Sequence, residues 1–478
     1  MEDRRESSGP TPSTATTGTA SPRKSSVPRV LIGSVVGTSL EWYDFFLYGS
    51  AAALVFNKLF FPSFSPLTGT LLAFTTYAIG FVARPLGGVI FGHFGDRLGR
   101  KDVLVITLLM MGISTFLIGV LPTYSAIGVA APLLLVGLRF VQGLGLGGEW
   151  AGAVLMSVEH GSNSRRGLNA SWPQIGVPAG NLLATAVLGF MIAIMPEPAF
   201  LSWGWRIPFL ISAVFVLVGL WIRLSLSESP LFSAVAAEGA KAKMPLAEVF
   251  RRHRRNLLIA IGARIGTDVA FYVFSLYVLT YVTTNLGLSR QLALDAVLIA
   301  SALQLVLIPA FGALSDRVGR RPVYLAGAIC AAIWAFAFFP LLATKSPALI
   351  IMATTVAFVF HAAMYGPQAA FIAELFSTRL RYSGASLGYQ LAGIPGGALA
   401  PILSIALASH FDSAFAVSVY VLLAILVTVI ALALAPETSR IDLSDGTASQ
   451  PPRRRSPALP SMTRQPVPHD WREHGDNH

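Results

Sequence analysis

Cysteine is nearly missing from this chain. Cys330 is the single one in 478 residues, so neither a disulfide framework nor a cysteine-based metal cluster is available. Charge is scarce too: Asp, Glu, Lys and Arg make up 12% of the residues, against 54% apolar. That balance, with its positive mean hydropathy, argues against an ordinary soluble enzyme and for a polytopic membrane protein. No His-Glu-x-x-His occurs, so the zinc-peptidase signature is missing and nothing supports an intramembrane enzyme of that kind. Residues 1–28 lack the apolar core of a signal peptide and are rich in Ser, Thr and Pro, which reads as a disordered tail. The tail 436–478, with PPRRRSPALP, shows no heptad pattern and reads the same way.

What is present is a series of apolar stretches from about residue 30 to about 435, each long enough for a spanning helix. Breaks at Pro, Gly and charge clusters predict helices over 30–56, 67–92, 102–121, 126–150, 170–195 and 205–224. A second set is predicted over 257–284, 292–314, 322–343, 347–372, 383–409 and 413–435. The expected domains are therefore two helical bundles, 29–224 and 257–435, joined by a basic connector, 225–256.

The net charge of +11 suggests nucleic acid until the basic residues are placed. Arg84, Arg139, Arg206 and Arg264 lie in predicted spans, and Lys58, Arg290 and Lys345 in the odd-numbered loops. All the rest lie in the even-numbered loops and the tails, save Arg223, which sits one residue inside the end of its predicted span beside such a loop. This is the positive-inside pattern, which sets both termini in the cytoplasm of a multi-pass protein of a plasma or bacterial inner membrane. The partner it implies is the lipid bilayer, not a nucleic acid, and no obligate protein partner is evident.

The chain also repeats itself. GHFGDRLGRK at 92–101 returns as GALSDRVGRR at 312–321, placing Asp316 220 positions after Asp96 (316 − 96). Glu159 and Glu374, and the Ala-Ser pairs at 170–171 and 385–386, share an offset of 215 (374 − 159, 385 − 170). Each half thus holds six helices. The fold class expected is all-α and membrane-embedded, with twelve transmembrane helices in two pseudo-symmetric six-helix bundles. Parallel repeats of this kind rock around a site near the bilayer midplane.

Charges inside spans mark that site. Glu41 and Asp44 sit three positions apart in SLEWYDFFLYG, so one narrow helix face carries both acids. A carboxylate at the centre of a span costs about 2.5–3.5 kcal/mol on insertion scales, which makes ion or substrate handling its default reading. A buried ion pair that only fixes packing is the alternative. Arg264 and Asp268 lie at i and i+4 and can form an intrahelical salt bridge, while Asp268 falls near the symmetry mate of Asp44. For an anionic substrate, Arg139 and Arg264 are the carboxylate clamps of the two halves. Tyr43, Gln142, Gln304, Tyr365, Gln368 and Gln390 are polar lining residues or packing residues. Glu149 reads as a gate or relay residue, and His361 as a packing residue. No metal-binding cluster or cofactor site is apparent.

The loop motif Gly-x-x-x-Asp-Arg-x-Gly-Arg-Arg/Lys, given by GHFGDRLGRK and its echo, resembles that of the major facilitator superfamily. RFVQGLGLGGEW (139–150) is similar to its helix-4 motif. EWYDFFLYG, RPLGG (84–88), GGEWAGA (147–153), LSWGWRIPF (201–209) and AELFSTRLRYSGAS (373–386) resemble the metabolite:proton symporter family, with the shikimate transporters nearest. The resemblance covers about residues 30–440 and omits both tails. It implies a secondary active transporter with the major facilitator fold that imports a small polar metabolite with protons. An organic acid such as shikimate or a dicarboxylate comes first; an osmolyte of the proline or betaine kind, or efflux by antiport, is the alternative. WYDFFLYG also resembles the first helix of proton-coupled sugar porters, which implies Asp44 as the proton carrier with Arg139, and Glu41 beside it. The superfamily pattern further implies a cytoplasmic gate. Asp96, Arg97, Arg100 and Lys101, and Asp316, Arg317, Arg320 and Arg321, would meet the opposite bundle and the acids Glu159 and Glu374. Arg166 and Arg381, matched by the repeat, would join them.

Overall fold

The computed structural model describes residues 27–98, 100–147, 150–159, 163–225, 249, 251, 253–377 and 380–441. Among them every regular element is a helix. Lipid offers no partner to a backbone amide, so an apolar run has to satisfy its own N–H and C=O groups, and a helix does that within one segment. The first half begins with α1, Val27–Ala51, which continues through a π-helical turn, Ala52–Phe56. It is followed by α2 (Pro66–Leu98), α3 (Arg100–Val120), α4 (Ala130–Leu146, resumed as Trp150–Glu159), α5 (Arg166–Ile194) and α6 (Arg206–Ser225). The second half begins with α7, Arg254–Tyr272, followed by π-helical turns at Val273–Tyr277 and Tyr281–Asn285. After it come α8 (Arg290–Val318), α9 (Arg320–Ala343) and α10 (Pro347–Glu374). Then α11 runs Arg381–Gly393, turns through Ile394–Ala398 and resumes as Leu399–His410, and α12 is Phe415–Leu434.

Eight of the described helices are long and apolar enough to cross a bilayer unaided. A bent pair, Glu197–Gly204 with Arg206–Trp221, gives a ninth, and Val105–Val120 and Ala130–Leu146 are shorter apolar helices. Several helices overrun their expected ends. α2 continues to Leu98 and α8 to Val318, so Asp96 and Asp316 lie on helix rather than in a loop. Hydropathy stops where charge begins, but a helix beyond the bilayer stops only at a residue that breaks it. For α8 that residue is Gly319, whose φ of 111° suits glycine.

The two halves pack alike. α1 lies against α5, α2 against α4 and α3 against α6; correspondingly α7 lies against α11, α8 against α10 and α9 against α12. The π-helical turns at Ala52–Phe56 and Val273–Tyr277 occupy matching places in α1 and α7; such turns re-aim a helix face and occur often at functional sites. α5 meets α8, and α2 meets α11, to join the halves. At Gly143 a methyl group would collide with the carbonyl of Gly80, and at Gly167 with the carbonyl of Gly312 on the other half. Small residues therefore set how closely α4 approaches α2 and how closely the halves meet at the terminal face. The polarity is inverted relative to a soluble protein: Leu217, Trp221, Val306 and Ile333 are each about two-thirds exposed, while Arg84, Arg139 and Arg264 are buried.

Candidate functional site

In the first half, the buried polar groups gather where α1, α3 and α4 meet. Arg139 Nη1 donates to Gln142 Oε1 at 2.9 Å, and Gln142 Nε2 donates to Thr115 Oγ1 at 2.6 Å. Thr115 in turn faces the carboxylate of Asp44. Asp44 and Arg139 do not form an ion pair here. Instead the Arg139 guanidinium lies 4.3–4.8 Å from the ring centroids of Phe45, Tyr48 and Tyr77. A guanidinium gains from the negative ring faces what it lacks in counter-charge. Its Nε and Nη2 have no hydrogen-bond partner, and neither does Asp44 Oδ1.

Arg84 on α2 is held in the same manner, 4.2 Å from the Phe45 centroid and 4.3 Å from that of Phe81, with Nε and Nη2 unpartnered. It was not among the residues assigned to the site from sequence, although a cation in the middle of a span was the signal for it. Phe81 packs across the boundary on Tyr272 of α7 (5.6 Å between centroids), and Tyr77 approaches the same ring at 6.3 Å. Tyr77 and Tyr272 carried no such signal, because tyrosine is common in spans for packing reasons alone.

The second half answers with a different arrangement. Arg264 Nε lies 3.0 Å from Asp268, its Nη1 donates to the carbonyl of Tyr389, and its guanidinium covers the Tyr389 ring. Gln368 Nε2 donates to the Tyr324 hydroxyl, which also contacts Thr267 Oγ1 at 2.9 Å. Tyr365 lies 3.4 Å, oxygen to oxygen, from Tyr389. His361 pairs with Gln304 at 2.8 Å and stacks on Tyr365. Asp268 and Tyr389 thus hold Arg264, with Tyr365 against Tyr389 and Gln368 on Tyr324 nearby, while Gln142, Asp44 and Arg139 form the group of the first half.

Tyr43 stands apart. Its hydroxyl donates to the carbonyl of Pro208 at 2.7 Å and its ring packs edge-on to Phe215, so it faces α6 within its own bundle and away from this group. Its neighbour Asp44 points elsewhere because successive helix positions are about 100° apart. Glu41 is buried on α1. Arg206 donates to the carbonyls of Gly119 and Leu121 and ties the start of α6 to the end of α3. Gly384–Gly388 spells Gly-x-Ser-x-Gly, but it lies inside α11 and lacks the strand–turn–helix elbow that exposes a nucleophilic serine.

Between this central group and the terminal face, the halves are sealed. Trp150 stacks on Tyr389 at 3.7 Å, and Gln390 Nε2 donates to the carbonyl of Gly147 at 3.0 Å. Further out, Asp316 on α8 accepts from the backbone N–H groups of Gly167 (2.8 Å) and Leu168 (3.0 Å) at the start of α5. A helix N-terminus, with its unsatisfied donors and positive dipole end, suits a carboxylate. Arg320 joins Asp316 (2.7 Å) to Glu374 (3.3 Å), and Arg166 reaches Glu374 from the first half at 3.5 Å. Thr438 adds a 2.6 Å hydrogen bond to Glu374. Half-burial works against charge on Glu437, but the N–H groups of Arg320, Ser439 and Arg321 hold its carboxyl below the usual carboxylate range. Arg317 is exposed. Arg381 donates within its own half, to the carbonyls of Ala373 and Phe376. Asp96, Arg97, Arg100, Lys101 and Glu159 lie on helices whose side chains are outside those described, and Gly99, Glu149, both tails and most of the connector lie outside the described residues.

Among the described residues, twelve helices in two matching sets, with buried charge where the sets meet, form the architecture expected of the major facilitator class. The profile of the family described as "Sugar (and other) transporter" matches residues 30–248 and 232–447, and the chain belongs to that family. It is 42% identical over 416 residues to the shikimate transporter of Escherichia coli K12, covering 86% of this chain and 95% of that protein. It is 41% identical to the inner membrane metabolite transport protein YhjE of the same organism, covering 86% and 94%. The proline/betaine transporter of E. coli K12 is 32% identical, covering 88% and 85%. Among solved structures, the proton:xylose symporter XylE bound to 6-bromo-6-deoxy-D-glucose superposes with a TM-score of 0.68 at 20% identity, covering 86% of this chain and 96% of that one, which bears out the fold. The protein is therefore a multi-pass membrane transporter and not an enzyme.

Proposed function

We propose that this transporter imports a small organic acid together with protons, a shikimate-like hydroxy acid first, by alternating access of its two bundles. One observation carries the reading: Arg84 and Arg139 are buried near the boundary between the halves with two unpartnered nitrogens each. Each guanidinium keeps donors for a carboxylate, and an Arg fork grips a carboxylate bidentately. A zwitterion such as betaine would bring a quaternary ammonium toward these cations, which disfavours the osmolyte reading. Arg264, already paired with Asp268, contributes hydrogen bonding rather than free charge, and Gln142, Tyr365 and Gln368 complete the polar lining.

Asp44 is the proton carrier in this scheme, with Glu41 beside it. Arg139 moving toward the carboxylate favours its charged form, and Arg139 moving away favours protonation. The contacts of Asp316, Arg320, Glu374 and Arg166 then form the closed gate, on the cytoplasmic side in the positive-inside orientation. Asp96, Arg97, Arg100 and Glu159 are assigned to the matching gate of the other half.

The test is uptake into proteoliposomes holding the purified protein. Shikimate, 2-oxoglutarate, citrate, proline and betaine are supplied under an imposed inward proton gradient and again with a protonophore. Gradient-dependent accumulation of an organic acid, abolished by the protonophore, is the expected result. Accumulation of proline or betaine alone would overturn the organic-acid reading, and accumulation that ignores the protonophore would overturn proton coupling.

A further inference from the structure

On the face opposite the termini, a cavity of about 470 Å³ lies between the halves. Asn57 and Lys58 from the end of α1 line it together with Glu197, which precedes α6, and with Thr283, Arg290 and Gln291 around the start of α8. One oxygen, Glu197 Oε1, accepts from Lys58 Nζ and from Arg290 Nη2, both at 3.1 Å. The first two residues belong to one half and Arg290 to the other, so this carboxylate oxygen bridges the bundles. Two cations face one carboxylate, which leaves the ion cluster with a surplus positive charge. The net positive charge of these three groups favours an anion over a cation in the cleft.

Two further groups adjoin these cations in the chain. Asn57 Nδ2 donates to Thr70, but its Oδ1 is buried without a hydrogen-bond partner. Gln291 Nε2 donates to Asp295, and its Oε1 is likewise buried and unpartnered. A buried carbonyl oxygen of this kind is costly until a donor reaches it. Those two oxygens are buried behind the lining, so what the cavity itself offers is the Lys58 and Arg290 cations for a carboxylate, within the volume range of small-molecule sites.

We propose that this vestibule is a second binding site, where a small hydroxy acid replaces Glu197 between Lys58 and Arg290 on its way to the midplane. The proposal rests on the organic-acid reading above. Its consequence is mechanical: once the incoming carboxylate holds Lys58 and Arg290, Glu197 no longer links the halves. Recruitment of the substrate and release of this outer contact become a single event. The exchange is easy because the Glu197 and Lys58 side chains are 57% and 46% exposed, and solvent-exposed ion pairs are weakly held.

The probe is radiolabelled shikimate, measured by scintillation proximity on the purified full-length protein. Binding is followed in wild type, in Arg84→Gln, and in Arg84→Gln combined with either Glu197→Gln or Arg290→Gln. Arg84→Gln removes a midplane contact and should leave a weaker, salt-sensitive component. Within that background, Glu197→Gln removes the competitor and should tighten binding by about two- to fivefold, whereas Arg290→Gln should weaken it by about as much. Opposite signs are the signature, since both changes break the same bridge and a mere latch would respond to them alike. Equal shifts, no shift, or no residual component in Arg84→Gln would overturn the vestibular site and leave the organic-acid reading standing. No binding to wild type would overturn the vestibular site for a hydroxy acid and shikimate as the substrate, with the organic-acid reading then decided by the uptake of 2-oxoglutarate and citrate.

Discussion

In the first half of the repeat, Asp44 on α1 faces Thr115 and has its basic neighbour Arg139 resting on aromatic rings. In the second half, Asp268 on α7 lies 3.0 Å from Arg264, which also covers the ring of Tyr389. The two carboxylates hold nearly matching places in the repeat, yet one is clamped and the other is not. The Arg264 guanidinium at contact distance gives Asp268 a partner within its own helix, so the second half presents a closed pair. The first half keeps an acid and two guanidiniums without an ion pair, which is what the proposed proton coupling and anion recognition would use. Duplication supplied both halves with the same helices, and the placement of one arginine, on the same helix four residues before the acid or on another helix, separates their geometries.

Mutations that break this asymmetry should differ in kind. The largest functional effect is expected from Asp44→Asn, which should abolish proton-driven accumulation while sparing exchange of substrate across the proteoliposome membrane. Full accumulation by that variant would remove Asp44 from proton coupling. On stability the order reverses. Asp268→Asn leaves Arg264 buried without its counter-charge and should destabilise by about 3–5 kcal/mol, seen as a lower thermal midpoint in detergent. Adding Arg264→Gln to it should recover most of that loss, because the uncompensated charge is then gone. Arg139→Lys keeps the charge but loses the fork and the ring contact, so kcat/KM for uptake should fall roughly tenfold. Near-normal uptake by this variant would rule out bidentate binding there. The smallest effect is expected from Thr115→Val, which removes the hydroxyl between Gln142 and Asp44 and should slow uptake by about two- to fivefold. A Thr115→Ser variant, which keeps the hydroxyl, should stay near wild type.

Much of this was legible from particular residues. Glu41, Asp44, Arg84, Arg139 and Arg264 announce themselves because a charge in lipid is costly enough to need a reason. GHFGDRLGRK and GALSDRVGRR disclose the duplication, since repeated Asp and Gly at fixed spacing is not what topology alone demands. Side-chain direction was less legible. Tyr43 is adjacent to Asp44 and also carries a polar group, yet it binds the backbone of α6. The ends of α2 and α8 were misplaced by six and four residues (98 − 92, 318 − 314), because hydropathy measures the bilayer and not the helix.

The superfamily resemblance implied that Asp316, Arg320, Glu374 and Arg166 meet across the halves, but the particular partners of the other cross-half contacts were out of reach for a one-dimensional reading. Trp150 meets Tyr389, and Glu197 meets both Lys58 and Arg290. By itself the sequence determined that the chain crosses a membrane repeatedly, that it is a duplicated six-helix unit, and which charges are buried with it. Those properties follow from the cost of moving each residue type from water to lipid, which is additive along the chain. Only the tertiary structure decided which buried acid is paired, which arginines keep open donors, and which face of the molecule is sealed. Pairing is set by the rotation and approach of helices, through small residues such as Gly143 and Gly167 and through π-helical turns, and these are properties of two helices at once.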